Sequence, residues 1–119
     1  MTLSRDQILE ASDLKSESVE VPEWGGEVLV RTMTGTDRDA FENTMVQISP
    51  DGTRRSDVTN WRAKLVAMTL VDDLGNRLFA GDDIDRLAAK SAAALDRVFT
   101  VAQRINGLGG DAQDDAVKN

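Results

Sequence analysis

The sequence predicts an α+β fold, with small antiparallel β-hairpins packed against about four to five helices and a flexible acidic C-terminal tail. Three observations predict it. Val19 and Val21 alternate with polar residues before a glycine-containing turn and a second β-rich run, Glu27-Val28-Leu29-Val30-Arg31-Thr32-Met33. A polar helix start follows at once, Thr36-Asp37-Arg38-Asp39, with apolar residues at helical spacing behind it. Near the end, Leu95, Val98, Phe99, Ala102 and Ile105 repeat on one face of a further helix.

Taken in order, Leu3 to Leu14 holds Leu3, Ile8, Leu9, Ala11 and Leu14 in a weak helical period, enough for a short or fraying helix. The hairpin comes next. Pro22 donates no ladder hydrogen bond and belongs at a strand end or edge, while Gly25-Gly26 makes the turn beside Trp24. Thr36 is expected to cap the next helix, with Asp37 and Asp39 favourable near its positive end. Ala40, Phe41, Thr44, Met45 and Ile48 form its apolar face, and Ser49-Pro50-Asp51-Gly52 stops it. Asp51 to Ser56 then reads as an exposed loop, and a helix from about Asp57 places Val58, Trp61, Leu65 and Met68 on one stripe with Arg62 and Lys64 toward water. Leu70-Val71 and Leu78-Phe79 flank the turn-rich Asp72-Asp73-Leu74-Gly75-Asn76-Arg77 and predict a second short hairpin. Gly81-Asp82-Asp83 opens a helix with Ile84, Leu87 and Ala88. Either Ser91 caps a separate last helix, or one long helix runs through Lys90-Ser91. Gly107 suits a left-handed cap with Leu108 packing back. Residues 1–108 are expected to form a single domain and 109–119 a disordered acidic tail.

Composition narrows function mostly by exclusion. With 119 residues, 40% hydrophobic and 29% charged, the chain has ordinary globular usage and enough length for a core. A formal charge of −7 argues against nucleic acid as a direct partner, because phosphate backbones demand clustered Lys and Arg. Its one basic pair, Arg54-Arg55, lies beside Asp51 and Asp57. Without Cys there are no thiolate sites, and without His there is no Ser-His triad, imidazole zinc site or common neutral-pH base. The opening segment lacks the uninterrupted apolar region of a signal peptide, and no stretch approaches a membrane span. A soluble intracellular protein without enzymatic activity, cofactor or membrane partner is expected.

The remaining clusters have bland readings. Asp82, Asp83 and Asp85 offer oxygen ligands to a hard cation, but their spacing fits no EF-hand loop and acids at a helix start stabilise its dipole without a ligand. Gly25-Gly26 and Gly109-Gly110 lack the context of a phosphate loop. Function by surface is what remains. Trp24, Trp61, Phe99, Met33, Met45 and Met68 either fill the core or line a partner groove, and Trp24, set in a turn, is the stronger interface candidate of the two Trp residues.

The order of short motifs resembles the tail assembly chaperones of long-tailed, siphovirus-like bacteriophages or prophages. Val19-Glu20-Val21-Pro22-Glu23-Trp24-Gly25-Gly26 matches V-x-V-P-x-W-G-G, and Gly35-Thr36-Asp37-Arg38-Asp39-Ala40-Phe41-Glu42 matches the helix start that follows it. Asp72 to Phe79 matches D-x-x-G-x-x-x-F, Asp82 to Leu87 matches D-D-I-x-x-L, and Asn106-Gly107-Leu108 closes the last helix. The ending Asp114-Asp115-Ala116-Val117-Lys118-Asn119 is similar to the family's E-x-x-x-K-N style. The resemblance implies a non-enzymatic α+β protein that binds and solubilises the tape measure protein before the tail tube forms, and is absent from the finished virion. It implies further that this chain is the short product of a frameshift pair whose longer product recruits tail tube protein. On that reading Trp24, Phe41, Met45 and Trp61 are the candidate residues for client binding or homo-oligomer contacts. The alternatives are a head-tail connector or minor tail protein, and an acidic adaptor or inhibitor of a host protein.

Overall fold

Residues 1–108 are described by a computed structural model; the expected tail at 109–119 lies outside the described residues. The α+β class is found, with five α-helices and small antiparallel sheets. Helix α1 (Arg5–Glu10) precedes strands β1 (Ser16–Val21) and β2 (Gly26–Arg31), joined by a 3₁₀ turn at Pro22–Trp24. Helix α2 (Gly35–Asn43), strands β3 (Val46–Ile48) and β4 (Arg54–Ser56), helix α3 (Trp61–Thr69) and strand β5 (Leu70–Val71) follow. A second 3₁₀ turn, Gly81–Asp83, leads into α4 (Ile84–Ala88), and α5 (Ala92–Ile105) ends the described chain.

The main sheet is antiparallel in the order β1-β2-β5. Its register pairs Val19 with Val28 and Glu17 with Val30, so the period-two pattern turns Val19, Val21, Val28 and Val30 to one face. That face meets α5, whose Ala94, Leu95, Val98, Phe99 and Ala102 are buried. Beyond α5 lies α3, with Ala63, Leu65, Val66, Ala67 and Thr69 all buried. Thr69 reaches burial by donating its hydroxyl to Leu65 O at 2.8 Å, inside its own helix. On the opposite face of the sheet Glu20 stands directly across from Glu27, a repulsive placement eased by Ser18 Oγ donating to Glu27 Oε2 at 2.8 Å.

Several boundaries differ from expectation. The helix of Phe41 is capped by Thr34, whose Oγ1 accepts from Asp37 N at 3.1 Å, because Gly35 and Thr36 already belong to the first turn. It ends at Asn43, well before Ser49. Val46-Gln47-Ile48 leaves the helical period and pairs with Arg54-Arg55-Ser56, so the expected loop at 51–56 is half of a further hairpin. β-Branched residues and the tight Ser49–Thr53 turn, closed by Ser49 N to Thr53 O at 2.8 Å, outweigh the weak helical spacing. Val58 is not on the α3 stripe: Asp57 folds its carboxylate onto Thr59 N at 3.1 Å, the helix starts at Trp61, and its buried residues are Ala63, Leu65, Val66, Ala67 and Thr69, with Trp61 and Met68 half-buried and Arg62 exposed. The short hairpin expected around residues 72–77 is present in minimal form, with the Val71–Arg77 bridge, Asp72 N to Asn76 O at 2.8 Å and Leu78 N to Leu70 O at 3.1 Å on the edge of β5 that β2 leaves free. The break at Lys90-Ser91 is real. Ser91 Oγ accepts from Ala94 N at 3.4 Å, and Gly107, at φ +67°, makes the expected left-handed cap, with Leu108 N donating to Gln103 O at 2.8 Å.

Two long-range polar ties hold the layers in register. Asn106 Oδ1 accepts from Met33 N at 2.7 Å while its Nδ2 donates to Ala102 O at 2.9 Å, fastening the exit of β2 to the end of α5. Arg31 Nη1 donates to Gly75 O at 2.7 Å. Gly75 has φ +86°, and an added Cβ would lie 3.2 Å from that same Nη1. Gly75→Ala is therefore expected to lower stability by about 1–2 kcal/mol, and urea unfolding of the variant checks it. Asn106→Ala orphans the Met33 amide and should cost about 1–3 kcal/mol in the same assay.

Candidate functional site

Pro22 fixes the first residue of a 3₁₀ turn, and Gly25, at φ +76°, closes it by donating its N–H to Pro22 O at 3.1 Å. The turn sets Trp24 half-buried at the end of the main sheet. Glu23 anchors it from the other side. Arg97 on α5 donates Nε to both Glu23 carboxylate oxygens, at 2.9 and 3.2 Å. That guanidinium, more than any other group, holds the Glu23 carboxyl below the ordinary glutamate range.

Trp24 forms one wall of an open groove of about 700 Å³. Leu78 and Phe79, carried past the Gly75 turn, form the facing wall, and Leu87 of α4 makes a floor that is 5% exposed. Leu78 is 49% exposed and Phe79 half-buried, so the walls present apolar surface to solvent. Charge on the rim is uneven. Glu23 is neutralised by Arg97, and Asp83 accepts from Ala80 N at 2.9 Å. Arg86 and Lys90 make no ion pair among the described residues, so the rim carries two unpaired cations beside the Asp83 carboxylate.

A second, smaller groove of about 390 Å³ lies across Lys90, which lines both, between the start of α3 and α5. Trp61 lines it. Its ring stands edge-on to Phe99 with centroids 5.0 Å apart, and its buried Nε1 has no hydrogen-bond partner among the described residues. Arg62, ion-paired to Asp96 at 2.6 Å, lies 5.5 Å over the Phe99 ring.

The four sequence candidates are thus dispersed. Trp24 and Trp61 line different grooves. Phe41 is a core side chain, 1% exposed, and presents no surface to a partner. Met45 is half-buried against the core beside the β3–β4 hairpin. Leu78, Phe79 and Leu87 are the groove residues that sequence reasoning left unassigned, although the D-x-x-G-x-x-x-F spacing had already singled out Phe79. Asp72 of that motif serves its own turn, accepting from Leu74 N at 2.8 Å and Asn76 N at 3.0 Å. The Asn76 amide chiefly holds its carboxyl below the usual range. Asp85 accepts from Asn60 Nδ2 at 3.1 Å, and no group of three or more acidic residues converges for a metal among the described residues. No helix among them is long and apolar enough to cross a membrane.

A protein-family model described as phage tail assembly chaperone matches residues 5–118. The fold is similar to a solved structure titled "Structure of bacteriophage HK97 tail assembly chaperone", with a TM-score of 0.56 and 18% identity over 83% of this chain and 89% of that one. No curated protein matches the sequence.

The Arg97 contact has a measurable sign. Because it lowers the Glu23 pKa, its contribution is complete above the ordinary glutamate value and disappears as pH falls through the depressed one. A carbonyl-carbon NMR titration should place the Glu23 midpoint below that of an ordinary glutamate, and Arg97→Gln should move it upward; an unmoved midpoint means that the contact is absent in solution.

Proposed function

The chain belongs to the phage tail assembly chaperone family, and on that premise we propose that it binds and solubilises the tape measure protein during tail morphogenesis. It acts without catalysis, in the host cytoplasm, as one folded unit spanning residues 1–108. As the short product of a frameshift pair, it works beside a longer product that engages tail tube protein. The observation that supports this reading is the solvent-facing groove between Trp24 and Leu78-Phe79, floored by Leu87 and edged by charged side chains. A tape measure chain is long, helical and apolar. An amphipathic helix lays its apolar stripe into such a groove, and the Arg86 and Lys90 rim favours acidic residues flanking that stripe.

Each contact need only be weak. Many copies along one client multiply modest affinities through effective concentration, and the chain's charge of −7 keeps the coated polymer dispersed. Trp61 and its smaller groove offer a second point of contact across Lys90 from the first.

Co-expression with the tape measure protein, followed by size exclusion with light scattering, is expected to yield a soluble complex with several chaperone copies per client. Trp24→Ala should cut the recovered soluble client at least several-fold while leaving the circular dichroism spectrum unchanged. A client that stays equally soluble with the variant removes the groove from the mechanism. Mass spectrometry of purified virions should detect no chaperone, and its retention there would favour a connector or minor tail role.

A further inference from the structure

Asn106 is the only asparagine of the chain that precedes a glycine. An Asn-Gly peptide can react with itself, because no Cβ on the following residue obstructs attack of its nitrogen on the asparagine side chain. A bond forms between Gly107 N and Asn106 Cγ, the bond from Cγ to Nδ2 breaks, and the Gly107 amide proton passes to the departing group, which leaves as ammonia. Water then opens the five-membered imide at one carbonyl or the other. The chain continues through the original backbone as aspartate, or through the former side chain as isoaspartate.

The fold keeps the two reacting atoms apart. Asn106 ends α5 with φ −99° and ψ 1°, so the Gly107 nitrogen eclipses the Asn106 backbone nitrogen and is rotated away from Cβ. Ring closure needs both the peptide plane and the side chain to turn. The side chain is fastened at both of its polar atoms, Oδ1 accepting from Met33 N at 2.7 Å and Nδ2 donating to Ala102 O at 2.9 Å. The plane is fastened too. Arg38 Nη1 donates to Asn106 O at 3.0 Å, Gly107 N donates to Arg104 O at 3.3 Å, and Leu108 N donates to Gln103 O at 2.8 Å. No bulk adds to these bonds, since Gly107 is exposed and the direction of a Cβ there is open space among the described residues. Hydrogen bonds at a helix end open locally while the core stays closed.

The product cannot remake the tie. An aspartate at 106 still accepts from Met33 N, but it offers Ala102 O no donor and adds a negative charge at the negative end of α5. Isoaspartate lengthens the backbone by a carbon and carries Gly107 out of its left-handed cap.

We propose that Asn106–Gly107 is a self-modification site gated by the fold. Each opening of the corner between the exit of β2 and the end of α5 exposes the pair to imide formation, and each conversion leaves that corner loosened. The chain passes one way from a tied to a loosened form, with water as the only co-reactant.

The full chain is incubated in mildly alkaline buffer, with and without urea, and peptide mass spectrometry follows the change of amide to acid at residue 106 and resolves aspartate from isoaspartate. The unfolded chain should convert as fast as a free peptide of the same sequence. The native chain should convert as well, but about ten-fold or more slowly, because only its open fraction reacts. Arg38→Gln frees the peptide plane and should speed native conversion several-fold while leaving the rate in urea unchanged. Converted protein, separated by its added negative charge, should exchange the Met33 amide hydrogen faster and unfold at lower urea, and Asn106→Asp should reproduce both effects. Native conversion as fast as in urea removes the gate and overturns the proposal. So does an Arg38→Gln rate equal to that of the native chain, or a residue 106 left intact in both folded proteins once the unfolded chain has converted. Unchanged Met33 exchange after conversion overturns the loosening. The comparison of native with unfolded chain needs no variant, so a misfolded Arg38→Gln protein leaves the test in force.

Discussion

The burial of α3 is the constraint around which the other elements are arranged. Five residues of this nine-residue helix, Ala63, Leu65, Val66, Ala67 and Thr69, are buried, and α5, α4 and α2 all pack on it. Such a helix is unstable in water by itself and becomes favourable only when its neighbours enclose it. One face of the main sheet is covered by α5, while the other carries Glu20 and Glu27 at the hairpin end and Leu29 beside the buried Val71 at the β5 side. Because β5 follows α3 without a loop, placing α3 also places the third strand against β2.

This geometry explains where apolar surface is left over. The residues between β5 and α4 must cross from the sheet to the helical layer, and the Gly75 turn, clamped by Arg31, directs Leu78 and Phe79 outward on the way. At the far end of the β1–β2 hairpin the Pro22–Trp24 turn is held by Arg97, and the two apolar walls face one another. The groove is thus a product of two rigid turns and a buried helix residue. Preorganised walls of this kind would lose little entropy on contact with any partner.

Much of the fold was legible because local signals and tertiary demands agree. Val19 and Val21 alternate as a half-buried strand must, and α5 repeats its apolar residues at 3.6 spacing because one of its faces meets the sheet. Agreement failed between residues 34 and 60. There Thr34 and Thr36 are equally good caps, and only the course of the backbone out of Met33 chooses between them. Val46 and Ile48 fit a helix face as well as a strand, and hairpin pairing with Arg54–Ser56 decides the matter. The groove was half legible. A Trp in a glycine turn announces itself, whereas Phe41 carries the same aromatic signal from the core, and the Leu78-Phe79 wall depends on a turn direction that no local pattern encodes.

The β3–β4 hairpin holds one more consequence. All six of its strand residues are exposed, it pairs with no other strand, and a two-stranded ribbon of this length is marginal in water. Its amides should exchange hydrogen by local opening, orders of magnitude faster than those of α3 and Val30, so that the molecule unfolds in tiers and the ribbon's ladder opens while the core remains closed. A particle-building protein with such a tier can yield a segment to a neighbour without giving up its fold.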